Sequence, residues 1–278
     1  MAKRKHPKFN GQKNEYGMAG QPKYPVYIVS KGRAYNPMTA KIFEGAGIDY
    51  FIVVEPQEAD EYIDALSKER VLVLPFSNKG LGSFPARNWC WEHSIQAGHA
   101  KHWVFDDNIC VFNKWQGGGR RKAPSVKHAL LYVEAFSDSN NIDVSGFEKK
   151  TFSTRVPKRP FKTNCHVYST LLIKNSLPYR WRLKYNEDID LCLQVLHNGG
   201  STASCVYYLA EKISTSTKMK GGNQTELYQG NDPKKKLLKA KMLQAVWPQY
   251  VKVVIRFGRF HHLINWKVFN KKDKLKKS

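Results

Sequence analysis

The sequence predicts an α/β protein with a Rossmann-like, mostly parallel central sheet flanked by helices. Between residues 24 and 105, short apolar segments rich in Val, Ile, Tyr and Phe alternate with longer segments that carry helix start and stop signals. Apolar strands that alternate with helices are typical of a parallel sheet, because each helix connects two strands. Such sheets bind ligands in the crevice at the carboxyl ends of their strands.

The first half of the chain contains four predicted strands and three predicted helices. The first helix begins at Asn36-Pro37, where a cap residue precedes a proline that suits the first helical turn, and it ends near Gly45. Apolar runs bounded by turn signals give the strands, at 24–30, 49–54, 71–75 and 102–105. The other two predicted helices cover 57–68 and 83–98.

The second half is less regular, but one helix is clear. Residues 186–200 have an apolar stripe at helical spacing, with Asn186 as the predicted cap and Gly199 as the end signal. Another helix is predicted at 233–247, and strands are predicted at 166–174 and 203–210. Three segments rich in polar or basic residues are predicted to be loops, the last of them mobile: 114–127, 149–163 and 214–225.

The charge of the chain indicates a polyanionic partner. It has 46 Lys and Arg residues against 23 Asp and Glu residues, which gives a formal net charge of +23 at pH 7. Nucleic acid is the usual partner of such a protein. An anionic membrane surface is the weaker alternative, since no amphipathic basic helix stands out.

Cysteine usage and hydropathy indicate a soluble protein of a reducing compartment. The five cysteines are odd in number and have no C-x-x-C spacing, which argues against a zinc site and against a disulfide framework. No apolar segment approaches the roughly 20 residues of a membrane span, and the basic N-terminus lacks the apolar region of a signal peptide. We therefore expect a cytoplasmic protein without a membrane partner.

Acidic residues are scarce, yet two clusters of them stand at informative places. Asp106 and Asp107, followed by Asn108, come directly after the fourth predicted strand, and Glu187 and Asp188 stand in the first turn of the clear helix. Carboxylate oxygens are the natural ligands of Mg²⁺ and Mn²⁺, and substrate phosphates commonly complete the coordination of these metals. An acid pair at the end of a strand therefore predicts a site for a diphosphate and a metal.

Each cluster also has a purely structural interpretation, which the residues alone leave open. Acids can simply end a strand, and acids in the first turn of a helix are stabilised by the helix dipole. In the active-site interpretation, the second cluster aims one carboxylate into the crevice as a general base. Such a base can take a proton from an alcohol that lies within hydrogen-bonding reach.

Four motifs, in the same order, resemble the landmarks of GT-A glycosyltransferases. They are YPVYIVSKGR (24–33), GSFPARNWCWEHS (82–94), FDDN (105–108) and NEDIDLCLQVLHNGG (186–200). More closely, the chain resembles the TET/J-binding-protein-associated glycosyltransferases, a family found in phages and related to animal nuclear proteins. The phage members are linked to sugar addition on 5-hydroxymethyl-pyrimidines in DNA. The resemblance implies a GT-A-like fold and a UDP-sugar donor.

The resemblance also implies roles for individual residues on the donor side. The nucleotide-sugar would be bound by Ser30, Lys31, Gly32, Arg33, Arg87, Asn88, Asp106 and Asp107. A divalent metal, Mn²⁺ or Mg²⁺, would be held by Asp107, Asn108 and a late histidine, His262. Asn108 departs from the family pattern, which has an acid there, and this leaves the metal requirement open. The loop 218–224 or the pair His261-His262 would close over the leaving diphosphate.

On the acceptor side, the resemblance makes Asp188 the base, while Glu187 would hold an acceptor or sugar hydroxyl. Five basic residues of the segment 149–163 are predicted to contact DNA: Lys149, Lys150, Arg155, Lys158 and Arg159. Aromatic residues stand among them, and cations combined with rings suit contacts to phosphates and bases. A base that is modified inside a duplex must also be flipped out into a pocket.

The sequence therefore predicts an enzyme that transfers a sugar from a UDP-sugar to the hydroxymethyl group of 5-hydroxymethylcytosine in phage DNA. It would act in the cytoplasm of the infected bacterial cell. The alternatives are the same catalyst acting on protein Ser/Thr hydroxyls, and a DNA-binding module with a degenerate sugar site. A metal-dependent nuclease also suits paired acids and basic charge, but the A-R-N helix and the early nucleotide loop favour the transferase.

The predicted domain organisation is a single GT-A-like glycosyltransferase domain over residues 24–270. Residues 24–110 would form its nucleotide-sugar-binding half, and residues 111–270 its acceptor-binding half. A flexible basic arm, 1–23, and a basic tail, 271–278, would flank this domain.

Overall fold

The computed structural model describes residues 20–213, 220–222, 233–256 and 258–273. Most of the predicted arm, most of the predicted loop 214–225 and the last five residues of the tail lie outside the described residues. The predicted division into an arm, two halves and a tail stays a prediction. None of the described helices is both long enough and apolar enough to cross a membrane.

The first half of the chain forms the Rossmann-like part of the sheet, as predicted. Its strands are β1 (Val26–Val29), β2 (Phe51–Val54), β3 (Val71–Val73) and β4 (Lys101–Asp106), and its helices are α1 (Met38–Gly45), α2 (Ala59–Ala65) and α3 (Phe84–Gln96). These four strands are parallel, in the order β3-β2-β1-β4. Their central residues are apolar runs, such as Val26–Val29 in β1 and 103–105 in β4, because helices cover both faces of a parallel sheet. Their carboxyl ends therefore meet at one edge.

The second half extends this sheet with mixed pairings. Its elements are β5 (Ile109–Gln116), β6 (Gly119–Lys122), α4 (Val126–Ser139), β7 (Val144–Lys149), β8 (Phe161–Thr163), β9 (Thr170–Lys174), α5 (Glu187–His197), β10 (Thr202–Lys212), α6 (Pro233–Val246), β11 (Val251–Arg256) and β12 (Arg259–Ile264). Strand β9 is antiparallel to β4 and β7, while β10 is parallel to β7 and antiparallel to β5.

Among the described residues the whole sheet has the order β3-β2-β1-β4-β9-β7-β10-β5-β6, with β8 paired to β10. Strands β11 and β12 form a separate antiparallel hairpin. The predicted α/β class, with a Rossmann-like central sheet flanked by helices, is confirmed. Strand β9 is antiparallel to both β4 and β7, and β10 is parallel to β7, so β10 runs in the same direction as β4. The two strands therefore end at the same edge, where Lys212 of β10 contacts Asp106 of β4.

Two segments predicted to be loops contain regular elements, and the prediction is wrong for those elements, whereas residues 153–160 are irregular as predicted. Residues 114–122 belong to the β5–β6 hairpin, whose turn has Gly117 and Gly118 at φ values of 56° and 78°. The segment 149–163 contains a short 3₁₀ helix, Lys150–Phe152, and strand β8. Charge hides the strand pattern in β6, because exposed edge strands carry Lys and Arg to prevent pairing with another chain.

Helix α5 lies where it is predicted, but it begins differently. Asn186 has a left-handed backbone, with φ 58°, and its side chain makes no capping hydrogen bond. The predicted side-chain cap is therefore wrong. Glu187, Asp188 and Asp190 occupy the first turn, where the helix dipole stabilises negative charge.

An apolar cluster holds α3 and α5 side by side. Trp91 of α3 is fully buried in this cluster together with Trp181, and Leu191 and Val195 of α5 pack in it as well. Trp91 Nε1 also donates a hydrogen bond to the backbone oxygen of Asn175 at 3.2 Å. Full burial of a large apolar side chain contributes about 1.5–3 kcal/mol. The cluster therefore fixes the starts of both helices relative to the end of β4.

Candidate active site

The carboxyl ends of the parallel strands border a crevice of about 160 Å³. The first turns of α3 and α5, the end of β10 and Gly222 complete its wall. The crevice brings together most of the residues predicted for the donor and for catalysis: Ser30, Lys31, Arg33, Arg87, Asp106, Asp107, Asn108 and Glu187. Motifs that are far apart in the sequence thus meet at one place.

Asp107 is buried against the loop that follows β1. Its Oδ2 accepts a hydrogen bond from Ser30 Oγ at 2.7 Å, and its Oδ1 is paired with the guanidinium of Arg33. The hydroxyl of Tyr62 lies 2.6 Å from Ser30 Oγ and accepts a hydrogen bond from Arg33 N at 2.9 Å. Burial raises the pKa of the Asp107 carboxyl, and Arg33 opposes this shift. These contacts join the end of β4 to the end of β1.

Residues 220–222 lie against the same loop. Arg33 donates to the backbone oxygens of Lys220 and Gly221 at 3.1 and 3.0 Å. Gly221 has a φ of 79°, and a Cβ at this position would collide with the carbonyl group of Gly32. The described part of the loop predicted to close over the diphosphate therefore contacts the loop after β1.

Asp106 binds two cations with its two oxygens. Its Oδ1 lies 2.5 Å from Arg87 Nη2, and its Oδ2 is paired with Lys212 Nζ. Burial opposes the charged form, but Lys212 and Arg87 hold the pKa of this carboxyl well below its usual range. Asp106 therefore stays ionised and fixes both cations at the crevice.

Arg87 is the centre of the acidic cluster, and only 2% of its side chain is exposed. Its Nη1 lies 3.2 Å from Asp188 Oδ1, and its Nη2 lies 3.9 Å from Glu187 Oε1. Ser83 Oγ donates to Glu187 Oε1 at 3.0 Å and accepts from Arg87 Nε at 3.2 Å. Burial opposes the charge of Arg87, yet the surrounding carboxylates, Asp188 most of all, raise its pKa.

Asp188 is buried at the start of α5 in a fixed orientation. Its Oδ2 accepts a hydrogen bond from the backbone N–H of Ser169 at 2.9 Å. Ser169 has a left-handed φ of 61°, which is uncommon for a residue with a side chain. Strain of this kind tends to occur at functional sites. Burial raises the pKa of Asp188 and Arg87 opposes the shift, and a raised pKa suits a carboxylate that acts as a general base.

The model of the TET-associated glycosyltransferase family matches residues 24–222, a range that contains every residue of the crevice wall. The chain belongs to this family. The predicted enzyme class, a UDP-sugar-dependent glycosyltransferase, and the predicted GT-A-like α/β fold are thereby confirmed.

A crystal structure from Desulfovibrio desulfuricans G20, described as a nucleotide-diphospho-sugar transferase, is similar at 9% sequence identity with a TM-score of 0.36. The similarity covers 62% of this chain and 75% of that chain. A comparison with curated proteins finds no match.

The acidic motif of this glycosyltransferase has a cationic partner that was not predicted from the sequence. Lys212, the last residue of β10, contacts Asp106 and donates to Ser169 Oγ at 3.2 Å. The available signal was the charged pair Glu211-Lys212, which directly follows an apolar strand. Lys212 reaches the crevice only because β10 lies between β7 and β5 in the sheet, and sequence periodicity does not give that order.

The side chains do not offer a complete ligand set for a divalent metal. Both oxygens of Asp106 and both oxygens of Asp107 already bind a cation or a hydroxyl group. Asn108 Nδ2 donates to the backbone oxygen of Ile213 at 2.8 Å, and Asn108 Oδ1 is buried without a hydrogen-bonding partner among the described residues. Within that part of the chain, no group of three or more His, Cys, Asp or Glu side chains is placed to hold a metal. One neutral oxygen does not fit Mg²⁺, which relies on carboxylates and phosphates.

Two residues predicted for the donor or the metal, Asn88 and His262, lie away from the crevice. Asn88 Nδ2 donates to the backbone oxygen of Trp181 at 2.8 Å, and its Oδ1 accepts from the backbone N–H of Trp181 at 3.0 Å. Both polar groups of Asn88 therefore fix α3 to the segment before α5. His262 lies on β12, with Nε2 2.8 Å from the backbone oxygen of Ala240 on α6. The structure does not bring His262 to the acidic motif.

The residues predicted to contact DNA form two groups. Arg155, Lys158 and Arg159 are exposed. Lys150 is paired with Glu211 at 2.6 Å, whereas Lys149 is half-buried, and burial lowers its pKa. The first group has the exposure that phosphate contacts require. The second group lines a cavity beside the crevice.

Proposed function

We propose that this glycosyltransferase transfers a sugar from a UDP-sugar to the hydroxymethyl oxygen of 5-hydroxymethylcytosine in phage DNA, in the cytoplasm of an infected bacterial cell. The observation that carries the proposal is the contact of Arg87 with Asp106 at the donor crevice and with Asp188 at the start of α5. It places a buried carboxylate directly beside the crevice, as the deprotonation of an acceptor hydroxyl requires. The net charge of +23 supports a DNA acceptor.

The diphosphate of the donor would lie among the cations of the crevice. Lys31, Arg33, Arg87 and Lys212 all line it. Charge-assisted hydrogen bonds from such groups to phosphate oxygens are about twice as strong as neutral ones. The Mn²⁺ or Mg²⁺ that the family resemblance implies stays a prediction. Since the carboxylates as placed do not fit it, no step of the proposed reaction depends on a metal.

Asp188 would take the proton of the hydroxymethyl group while the hydroxymethyl oxygen attacks the anomeric carbon of the sugar. The new carbon–oxygen bond forms while the bond from the anomeric carbon to the phosphate oxygen breaks, and the electron pair leaves with UDP. Lys212 and Arg33 would stabilise the negative charge that develops on the leaving diphosphate. Glu187, oriented by Ser83, would hold a hydroxyl group of the sugar or the acceptor.

Mass spectrometry of nucleosides tests this function. DNA that contains 5-hydroxymethylcytosine is incubated with the full chain and a panel of UDP-sugars, and DNA of the same sequence with unmodified cytosine is the control. We expect a mass gain of one hexose or N-acetylhexosamine on 5-hydroxymethylcytosine alone. Strand breaks without a mass gain would indicate a nuclease, and DNA binding without either product would indicate a binding module. Sugar transfer to a Ser/Thr peptide instead of DNA would indicate a protein acceptor.

A further inference from the structure

A second cavity, of about 280 Å³, opens beside the donor crevice. Two segments line it, 149–152 from the last residue of β7 onward and 210–213 at the end of β10. Lys212 lines both this cavity and the crevice, so the two spaces meet at its side chain. The donor chemistry proposed above leaves the second cavity unused.

An irregularity in β10 places two consecutive side chains at this cavity. In a regular strand, neighbouring side chains point to opposite faces of the sheet. The register of β10 against β5 shifts between Glu211 and Lys212, and both residues line the cavity. Bulges are frequent beside active sites, where they redirect a side chain. Here the shift brings a carboxylate and an ammonium group into one small space.

An exposed aromatic ring stands at the same cavity. Phe152 lines the cavity and is 52% exposed, which is high for a large apolar side chain. Its ring centre lies 6.0 Å from that of Tyr168 and 6.1 Å from that of His166. The amine of Lys149 lies 4.4 Å from the centre of the Tyr168 ring. Rings combined with cations in this way bind nucleobases by stacking and by charge.

The polar groups of the cavity suit the edge of one kind of base. Glu211 Oε2 accepts hydrogen bonds from Lys150 Nζ at 2.6 Å and from Asn113 Nδ2 at 3.2 Å, and the Glu211 side chain remains 35% exposed. A carboxylate accepts a hydrogen bond from the 4-amino group of cytosine. A uracil derivative has a carbonyl oxygen at the same position, which a carboxylate repels.

We propose that this cavity binds the acceptor base, a 4-aminopyrimidine extruded from DNA, with its ring against Phe152 and its amino group at Glu211. The inference rests on the proposed function and adds to it the place of the acceptor and a preference for cytosine over uracil derivatives. Lys212 Nζ lies 3.2 Å from Ser169 Oγ, and Ser169 N lies 2.9 Å from Asp188 Oδ2. Ser169 therefore contacts both Lys212 and the proposed general base, so a substituent that extends from the base to Lys212 approaches Asp188.

The first experiment tests the stacking contact. Transfer to 5-hydroxymethylcytosine DNA is measured for the wild type, Phe152→Ala and the control Val156→Ala, which removes another exposed apolar side chain of the same segment that does not line the cavity. We expect kcat/KM for DNA to fall about 5- to 150-fold in Phe152→Ala, the loss seen when a stacked base loses its aromatic partner. UDP affinity, measured by calorimetry without DNA, should be the same in all three proteins.

The second experiment tests the base preference. The wild type should prefer DNA with 5-hydroxymethylcytosine over DNA with 5-hydroxymethyluracil by about 5- to 150-fold, as a good base contact provides. In Glu211→Gln this preference should shrink or reverse, because the amide can donate to the 4-carbonyl oxygen of uracil. An unchanged preference in this variant would remove Glu211 from the acceptor site.

The outcomes separate this inference from the proposed function. If the wild type transfers sugar to DNA and Phe152→Ala does so equally well, the acceptor lies elsewhere and only the cavity assignment is overturned. If the wild type binds UDP but transfers to neither DNA, the proposed function itself is overturned, and the cavity assignment with it.

Discussion

The guanidinium group of Arg87 lies 3.2 Å from the carboxylate of Asp188, although the two residues are 101 positions apart in the chain. The same group lies 2.5 Å from Asp106. One buried side chain therefore connects the donor crevice with the start of α5. Removal of one partner from a buried ion pair costs about 3–5 kcal/mol. Loss of Arg87 would take the cation away from three carboxylates, so it is a poor target for a functional test. Loss of the charge of Asp188 alone leaves Arg87 beside Asp106 and Glu187.

Asp188→Asn should separate catalysis from binding. The asparagine keeps the shape of the side chain and can still accept the hydrogen bond from Ser169 N, but it loses the basic oxygen. We expect the rate of transfer to 5-hydroxymethylcytosine DNA to fall by about 10²–10⁴, the contribution that general base catalysis typically makes. UDP affinity should remain near that of the wild type. Single-turnover mass spectrometry measures the rate, and calorimetry measures the affinity.

Asp60→Asn is the matched control for this variant, because Asp60 is exposed on α2. It should change neither the rate nor the affinity. If Asp188→Asn turns over normally and melts like the wild type, Asp188 is not the base, and Glu187 becomes the next carboxylate to test.

The midpoint on the acid side of the pH profile of kcat/KM should lie above the usual pKa of an Asp side chain. The base must be ionised to accept a proton, so kcat/KM should fall as the pH falls through the pKa of Asp188. Burial raises this pKa, so the midpoint should lie above about 3.9, the usual value for Asp. Lys212 lowers the pKa of Asp188, so Lys212→Met should move the midpoint to higher pH. A midpoint that moves to lower pH in Lys212→Met would contradict this electrostatic assignment.

The parallel half of the sheet could be predicted from the sequence because its strands are buried on both faces. Such strands are uninterrupted apolar runs, as in Tyr27, Ile28 and Val29 of β1. The start of helix α4 could also be predicted from the sequence, because Ser125 is a typical N-cap residue and apolar residues at helical spacing follow it. In the structure, Ser125 Oγ accepts a hydrogen bond from the N–H of His128. The helix was missed because the basic segment before it suggested a loop.

The cationic partners of the acids were harder to predict. Asp107 pairs with Arg33, which is 74 positions away, and Asp106 pairs with Lys212, which is 106 positions away. These pairs depend on the order of the strands in the sheet and on a bulge in β10. Neither feature leaves a periodic pattern in one sequence. The acids were therefore predicted as metal ligands, while the structure surrounds them with cations.

Lys212→Met should weaken donor binding. The variant removes an ammonium group from the wall of the crevice, and a hydrogen bond to a charged group contributes about 1.5–3 kcal/mol. We expect UDP affinity to fall by about tenfold or more, as measured by calorimetry. Wild-type affinity should change little between EDTA and Mn²⁺, because cations already occupy the carboxylates. Lys252→Met, on an exposed position of β11, is the control and should bind UDP normally.

Loss of wild-type UDP binding in EDTA, with recovery on addition of Mn²⁺, would contradict the prediction that UDP binding does not depend on a metal. It would assign the neutralisation of the diphosphate to a metal rather than to Lys212 and its neighbouring cations.

Gly221→Ala should loosen the contact between residues 220–222 and the loop after β1. A Cβ at Gly221 would collide with the carbonyl group of Gly32, and a left-handed backbone costs about 1–2 kcal/mol in a residue with a side chain. We expect the KM for the UDP-sugar to rise about 5- to 30-fold. Gly118→Ala is the control, because Gly118 has a similar φ of 78° but no atom lies within 4 Å of the added Cβ. It should lower the melting temperature without a change in KM, and an equal KM effect in both variants would remove the loop contact from donor binding.

The exposed cations after β7 should determine how DNA affinity depends on salt. Each phosphate that a protein neutralises contributes roughly 0.9 to the slope of log K against log salt concentration. Arg155, Lys158 and Arg159 are all exposed, so reversing the three charges to Glu should flatten the slope as well as weaken binding. The control reverses three exposed lysines elsewhere, Lys41, Lys68 and Lys252. It makes the same change in net charge, so it should weaken binding only by reducing the long-range attraction to DNA, and it should leave the slope nearly unchanged.

Fluorescence anisotropy across a salt series measures both the DNA affinity and the slope. Equal slopes in the two triple variants would mean that DNA contacts another face of the protein, since only direct phosphate contacts release counterions.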